Sequence, residues 1–227
     1  MGYAHAPHEM LRYFLSVIMR LWGLPEWEPV PDDAKARIVE AVDAYAKIVH
    51  DSEPFEDIIG PLYMDMASRS KSRMMGQYFT PWEIARMTAM LNAGGNPLER
   101  HPQGIISVHD PACGSGVMLM AFANLVFQYG GAAGLLRLSV AGCDLDEYCA
   151  RIAAVQLIAN CNVHGFRLAE VRIVQGDSLL QKNMRLILHG TAPELMHHAD
   201  RQNLFPENAQ PVPANHPHPV QIELFAA

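Results

Sequence analysis

The sequence predicts an α/β fold, a partial doubly wound parallel sheet with an N-terminal helical region and a disordered C-terminal tail. Three apolar runs, each followed by a turn containing glycine or aspartate, indicate strands at 105–110, 138–144 and 171–176. The stretches 116–129 and 146–162 are long enough for the helices that join parallel strands by right-handed crossovers. Ligands of such sheets bind at the carboxyl ends of the strands, and all three turns lie there.

Residues 1–75 are expected to form the helical region that precedes the sheet. An apolar run over 8–22 predicts the first helix. Asp32 or Asp33 is suited to cap a second helix, because aspartate oxygens accept hydrogen bonds from free backbone N–H groups. The apolar face of that helix has helical spacing and consists of Ile38, Val42, Tyr45 and Val49.

Two further helices are predicted before the first strand. The third begins near Pro54 and is bent or broken at the Gly-Pro pair 60–61, because proline lacks a backbone donor. Residues 80–83, Thr-Pro-Trp-Glu, have the pattern of a capping box with proline in the first turn. This pattern predicts a fourth helix that runs to about Asn92.

The turn after the first predicted strand is the most informative segment of the chain. Residues 110–116 read Asp-Pro-Ala-Cys-Gly-Ser-Gly. Gly114 and Gly116 permit a positive φ and remove the Cβ atoms that would block backbone approach to a nucleotide-like ligand. Asp110 is a poor neighbour for pyrophosphate. It suits a positively charged cofactor such as S-adenosylmethionine, which carries a sulfonium and an ammonium group.

These residues resemble the motifs of DNA N6-adenine methyltransferases, especially the modification (M) subunits of type I restriction systems. The resemblance covers roughly residues 55 to 180, with motifs in the family's order at 57–63, 76–81, 110–116, 142–146 and 176–179. It implies a Rossmann-like, class I methyltransferase domain over 76–190 that binds S-adenosylmethionine. It also implies a function in DNA adenine methylation of the restriction-modification type.

Strand position and the resemblance together give a set of cofactor residues. Asp144 ends the second strand, where a carboxylate can accept hydrogen bonds from both ribose hydroxyls of an adenosyl group. Asp177 ends the third strand, where it can accept from the adenine amino group, although either aspartate can instead cap the following helix. Phe79 suits a wall of the cofactor pocket or a core position. The expected set is Phe79, Thr80, Pro81, Asp110, Pro111, Ala112, Gly114, Gly116, Asp144, Leu145, Asp177 and Ser178.

The base-binding motif of the family is not found in this sequence. Enzymes that methylate adenine in DNA flip the base and hold it by stacking and hydrogen bonds; the family does so with Asn/Asp-Pro-Pro-Tyr/Phe after a fourth strand. The place where a fourth strand is expected, 186–191, reads Leu-Ile-Leu-His-Gly-Thr, and Asn-His-Pro-His at 215–218 has no strand before it. The catalytic residues are therefore unknown. The chain is expected to bind the cofactor without methylating DNA alone.

The charge of the chain bears on its partners. A formal net charge of −7 is unusual for a protein that binds DNA alone, because duplex affinity depends on Lys and Arg that neutralise phosphates. Arg69, Lys71 and Arg73 form a basic cluster that is either a DNA contact or a solvated connector. DNA is thus expected as a partner together with a second subunit. An open sheet edge after the third strand would favour a homodimer or a second methyltransferase subunit.

The remaining composition points to a reducing, aqueous compartment. The cysteines at 113, 143, 149 and 161 have no Cys-x-x-Cys spacing and are expected to be buried thiols. Polar residues and glycines interrupt the apolar stretch 117–142, so no membrane span is expected and the protein is expected to be cytoplasmic. The histidines at 197–198, 216 and 218 lack carboxylate or cysteine partners, so no metal is expected.

Residues 191–227 are expected to form a disordered Pro/His-rich tail. The tail ends in Gln-Ile-Glu-Leu-Phe at 221–225, which resembles the pentapeptide that binds the bacterial sliding clamp. The resemblance implies that Gln221 anchors one subsite and that Leu224 and Phe225 fill an apolar pocket. The alternative function is therefore a non-catalytic pseudo-methyltransferase that binds the clamp, or that mimics an M subunit and interferes with restriction.

Overall fold

The computed structural model describes residues 5–24, 27–69 and 79–191 of the 227-residue chain. Three sequence predictions lie outside these ranges. They are the basic residues at 71 and 73, the Gly-Gln-Tyr segment at 76–78, and the tail with its clamp-like peptide and its histidines; the side chain of Arg69 is not described either.

Helices fill the described part of the chain before the sheet, as the sequence predicts. Their bounds are α1 Pro7–Leu21, α2 Asp32–Asp51, α3 Ile59–Arg69, α4 Trp82–Ala93 and α5 Pro97–Arg100. The residue that precedes α2 is Pro31, which has no side-chain acceptor, so the predicted aspartate cap is wrong and Asp32 is the first helical residue. Its charge still favours that position, because the first turn of a helix is electropositive.

Two other helix starts also differ from the prediction. α3 begins at Ile59 and not near Pro54, so Gly60 and Pro61 lie in its first turn and do not break it. Proline is tolerated there because the first N–H groups of a helix have no helical partner. The residue at the start of α4 is Pro81, with extended backbone at φ −59 and ψ 145, so the predicted capping box is not formed.

The sheet has the order β1-β2-β3-β4, and its strands are β1 Ile106–Asp110, β2 Leu138–Asp144, β3 Glu170–Asp177 and β4 Lys182–Thr191. β1, β2 and β3 are parallel. The helices α6 Val117–Leu135 and α7 Glu147–His164 connect them. The predicted α/β fold class is confirmed.

The sequence did not predict the direction of the fourth strand. β4 turns back after β3 and pairs with it antiparallel, as a short connection permits. It covers the edge of β3 that was expected to be open. Among the described strands, β1 and β4 are the outer ones, so β1 has an unpaired edge at one side of the sheet and β4 at the other.

One face of the sheet packs against α6 and α7. α7 is buried almost all round, from Cys149 to Cys161, because α1 and α2 cover its other side. The N-terminal helices and the sheet thus share one hydrophobic core. The predicted end of α7 is confirmed, since Gly165 has left-handed backbone there.

α6 is long and apolar enough, by length and composition, to cross a membrane. Half of that apolar stretch is buried in the protein, where it packs on β1, β2 and α4. Its backbone is also non-helical at Gly131, which divides it. This burial is typical of the core helix of an α/β domain.

The opposite face of the sheet is polar. Ser107 and His109 are exposed on β1, and Glu170 on β3 is half-buried. The Glu170 carboxylate accepts from Ser139 Oγ at 3.1 Å and pairs with Arg172 and His189 at 3.3 and 3.1 Å. Around Glu170 this face is therefore a network of polar side chains.

Candidate cofactor site

The turn after β1 joins the carboxyl ends of two strands. Cys113 N donates to Cys143 O at 2.8 Å, and Gly114 N donates to Asp144 Oδ2 at 2.8 Å. Gly114 and Gly116 have left-handed backbone, with φ of 53° and 85°. Glycine adopts this conformation without strain, and Gly116 directly precedes α6.

Asp144 lies at the centre of the site. Its Oδ1 accepts from Asp146 N at 2.9 Å and its Oδ2 accepts from Gly114 N at 2.8 Å. A carboxylate oxygen can accept a second hydrogen bond, so these contacts leave capacity for ligand hydroxyls. The cap of α7 is Asp146, which accepts from Tyr148 N at 2.8 Å, so the alternative capping role of Asp144 does not apply.

The surroundings of Asp144 raise its pKa above the ordinary aspartate value. Burial is the largest cause, and the charges of Asp146 and Asp110 add to it. The hydrogen bonds from the backbone of Asp146 and Gly114 act in the opposite direction. The site thus concentrates negative charge where β1 and β2 end.

The other two predicted aspartates also lie at strand ends. Asp110 Oδ1 accepts from Ala112 N at 3.0 Å and so holds the start of the turn. Asp177 Oδ1 accepts from Leu179 N and Leu180 N at 3.0 and 2.9 Å. Asp177 therefore accepts from backbone N–H groups in the turn after β3, as a helix-capping aspartate does. Its neighbour Ser178 is half-buried.

Apolar surface is exposed at the same end of the sheet. Leu145 follows Asp144 directly and is 67% exposed. Pro111 and Ala112 are also exposed, on the turn after β1. Such surface suits a planar apolar ring more than a phosphate group.

An aromatic stack borders the glycine turn. A Cβ on Gly114 would lie 3.1 Å from Cδ1 and Cε1 of Phe79, so the Phe79 ring covers this glycine. Phe79 stacks on Tyr63 with ring centroids 5.3 Å apart, and Tyr63 packs against Tyr148 at 5.2 Å. Of the two residues that follow Phe79, Thr80 is half-buried and Pro81 is exposed.

The sequence reasoning missed Tyr63 and Tyr148 as neighbours of the turn. Burial raises the pKa of Tyr63 to about 12, with the nearby Cys149, Asp146 and Asp144 as further causes. Its hydroxyl is therefore a neutral donor at pH 7. For Tyr63 the sequence offered one signal, its position at the end of the family-like segment 57–63. For Tyr148 the sequence showed only the apolar spacing of a helix.

The donor set does not favour a metal. In the three described ranges, no group of three or more His, Cys, Asp or Glu side chains is placed to hold a metal ion. Carboxylates at the strand ends, apolar surface and an aromatic wall instead fit a ligand with hydroxyl groups, a flat ring and positive charge.

Three parallel strands, a glycine turn after the first and an acidic side chain after the second define a nucleotide-cofactor domain of the class I methyltransferase type. A sequence model of the N-6 DNA methylase family matches residues 54–217. This match covers more than half of the chain, so the chain belongs to the N-6 DNA methylase family. Membership implies S-adenosylmethionine as the cofactor, and the resemblance predicted from the motifs is confirmed.

Comparison with a curated relative agrees with this family. Over 132 residues the chain is 29% identical to the methylase subunit of the type I restriction enzyme MjaVIII from Methanocaldococcus jannaschii. The aligned part is 57% of this chain and 20% of the relative. The chain thus spans about a fifth of the length of the curated relative that it matches.

A solved structure with a similar fold comes from Listeria monocytogenes and is assigned to the class I S-adenosylmethionine-dependent methyltransferases. The two chains superpose with a TM-score of 0.45 at 15% sequence identity. The superposition covers 77% of this chain and 55% of that one.

Proposed function

We propose that this chain is an S-adenosylmethionine-binding component of restriction-type DNA adenine N6-methylation, and that it is not catalytic alone. The observation that carries the proposal is the Asp144 carboxylate, fixed by the Gly114 N–H beside the glycine turn. This arrangement presents acceptors to a ribose next to backbone that a cofactor can approach closely.

The proposed contacts follow from the position of each side chain. Asp144 accepts from the ribose hydroxyls, and Asp110 offers negative charge to the sulfonium and ammonium groups. Leu145 covers the adenine ring, with Asp177 and Ser178 at its amino edge. The remaining contacts come from Phe79, Thr80, Pro81, Pro111, Ala112, Gly114 and Gly116.

The direction of β4 supports the absence of catalysis by this chain alone. Thr191, the last residue of β4, pairs with Glu170, the first residue of β3. β4 therefore ends beside the amino end of β3, whereas the glycine turn lies at the carboxyl ends of the strands. A base-binding motif placed directly after it would lie far from the methyl group.

A partner that supplies base-binding groups would reach the cofactor from the other side. The unpaired edge of β1 leads directly into the turn at 110–116. A second methyltransferase subunit, or a second copy of the chain, is proposed to pair there, because unpaired strand edges favour association. DNA would then bind to the assembly and not to the acidic chain by itself.

Calorimetry with S-adenosylmethionine tests the binding, and an assay with adenine-containing duplex DNA tests methyl transfer. We expect saturable binding with a Kd on the order of micromolar and no methyl transfer by the purified chain. Absence of binding would remove the proposal. Methyl transfer by the chain alone that is lost with Asp110→Ala would contradict the non-catalytic part.

The peptide at 221–225 supports a second candidate function. We propose that Gln221, Leu224 and Phe225 bind the sliding clamp, because the sequence at 221–225 resembles the pentapeptide that binds this clamp. A chain without residues 221–227 is expected to lose capture by purified clamp, and Glu223→Ala is the matched control that keeps the three anchors. Equal capture of the shortened and full chains would end this proposal.

The cytoplasm is the proposed location. Cys113, Cys143, Cys149 and Cys161 are all buried and unpaired with one another. Free buried thiols of this kind are typical of proteins in a reducing compartment.

A further inference from the structure

A buried polar cluster lies behind the glycine turn. It consists of Asp57 from the segment before α3, Ser115 from the turn, and Gln156 from α7. Asp57 is 7% exposed, and Ser115 and Gln156 are fully buried. Because buried polar groups destabilise a protein unless they are hydrogen-bonded, the partners of each group show what the cluster holds together.

Asp57 accepts three hydrogen bonds. Ser115 Oγ donates to its Oδ2 at 2.8 Å, while Gln156 Nε2 and Gly60 N donate to its Oδ1 at 2.7 and 2.8 Å. The carboxylate also occupies the space beside Gly60, where a Cβ would lie 2.2 Å from Oδ2. The position of Asp57 is thus fixed from three directions.

Gln156 joins the same groups from the side of α7. Its Nε2 donates to Ser115 O at 3.1 Å as well as to Asp57. Its Oε1 accepts from Ile58 N and Ile59 N at 2.9 and 2.8 Å. Both amide hydrogens and the amide oxygen are used, so the side chain has a single favourable orientation.

Ser115 connects this cluster to the cofactor site. It stands between Gly114 and Gly116, which both have left-handed backbone. Glycine can adopt many backbone conformations, so these two residues do not fix the turn by themselves. Its hydroxyl and its carbonyl are both held by the cluster, so the turn is fixed at its midpoint. The next residue back, Gly114, directs its N–H to Asp144.

We propose that Asp57 is a positioning residue for the cofactor. Through Ser115 it holds the glycine turn in the conformation that directs the Gly114 N–H to Asp144, and it raises cofactor affinity without touching the pocket. The inference rests on the proposed binding of S-adenosylmethionine. The competing explanation is that the cluster stabilises the fold and leaves the turn unaffected.

Asn160 provides a matched control. It lies one helical turn after Gln156, and its Oδ1 accepts from Phe55 N at 2.6 Å. Its Nδ2 donates to Gln156 O at 3.0 Å. Asn160 therefore secures the same segment by a buried hydrogen bond, and these hydrogen bonds are to Phe55 and Gln156 and not to the turn.

The test compares cofactor affinities of full-length variants by calorimetry. Ser115→Ala and Asp57→Ala are expected to weaken binding about tenfold, the effect of losing one buried hydrogen bond to a charged group. Their double variant is expected to weaken it no further than Asp57→Ala, because both act through one contact. Asn160→Ala is expected to lower the Tm while keeping the affinity within about twofold.

Asp57→Asn is the conservative variant that should restore binding. Its oxygen can still accept from Gly60 N and Gln156 Nε2, and its amide can donate to Ser115 Oγ with the hydroxyl reversed. Affinity close to that of the unmodified chain is expected. An affinity as low as that of Asp57→Ala would contradict the positioning role through Ser115.

The amide resonance of Gly114 gives a second measurement that needs no cofactor. Asp57→Ala and Ser115→Ala are expected to shift this resonance and speed its hydrogen exchange, whereas Asn160→Ala leaves it unchanged. Unchanged affinity or an unchanged Gly114 signal in the first two variants overturns the inference. If the unmodified chain binds no cofactor, the proposed function fails, and the amide signal still decides whether Asp57 positions the turn.

Discussion

Replacement of Asp144 by alanine is expected to lower the affinity for S-adenosylmethionine by about a hundredfold. In the proposed site this side chain accepts from two ribose hydroxyls, and a hydrogen bond to a charged group contributes about 1.5–3 kcal/mol. The same change removes the acceptor of Gly114 N, which fixes the turn. Calorimetry on the folded variant measures the effect.

Asp146→Ala is the matched control for this change. Asp146 stands two residues later and caps α7 by accepting from Tyr148 N. Its loss is expected to lower the free energy of unfolding by about 1 kcal/mol, as for other caps, and to leave the affinity close to normal. Equal affinities of Asp144→Ala and the unmodified chain would contradict the assignment of Asp144.

The pH dependence of binding gives a further check on the same residue. Only the ionised carboxylate can accept from both hydroxyls, so affinity is retained above the pKa of Asp144 and falls as the pH drops through it. Burial and the neighbouring carboxylates raise that pKa. The loss of affinity should thus begin at a higher pH than an ordinary aspartate would give, and Asp144→Asn should remove this dependence.

The sequence predicted the parallel part of the fold because each strand there is followed by a strong turn signal. Aspartate is the last residue of β1, β2 and β3, and the predicted strands agree with the observed ones within a residue. The direction of β4 had no comparable signal. Gln181 in the preceding turn and Asn183 near the start of β4 have left-handed backbone, and non-glycine residues with positive φ are uncommon.

The candidate site could be predicted from the sequence only where its residues are close in the chain or lie at strand ends. Each of the three predicted aspartates is the last residue of a strand, and they are Asp110, Asp144 and Asp177. The contact of Asp57 with Ser115 joins residues that are far apart in the chain, and no local pattern encodes such a pair. The packing of Tyr63 on Phe79 depends in the same way on how α3 lies against the turn.

The polar face of the sheet limits which partners could pack on the protein. Parallel sheets are usually covered by helices on both faces, and their strands are then apolar on both sides. Here Ser107 and His109 on β1 and the Glu170–Arg172 pair on β3 give one face a polar character. A partner that extends the sheet at the β1 edge is compatible with this face. An apolar helical layer over the face would instead bury polar groups without giving them hydrogen-bond partners.

Gly116→Ala is expected to lower the free energy of unfolding by about 2–4 kcal/mol. Two causes add at this position. The backbone has φ 85°, and left-handed backbone costs a non-glycine residue about 1–2 kcal/mol. The new Cβ would also lie 3.0 Å from Ala153 Cβ and 3.2 Å from Ala153 Cα, a backbone atom of the buried helix α7.

Gly165→Ala separates these two causes. Gly165 also has left-handed backbone, with φ 69°, but no atom lies within 4 Å of its Cβ position. Its substitution is expected to cost only the backbone strain, about 1–2 kcal/mol in urea unfolding. A larger loss for Gly116→Ala would measure how closely the turn packs against α7, the helix whose Gln156 also donates to Ser115 O. Equal losses would mean that the turn moves freely away from α7, which would contradict a rigid cofactor turn.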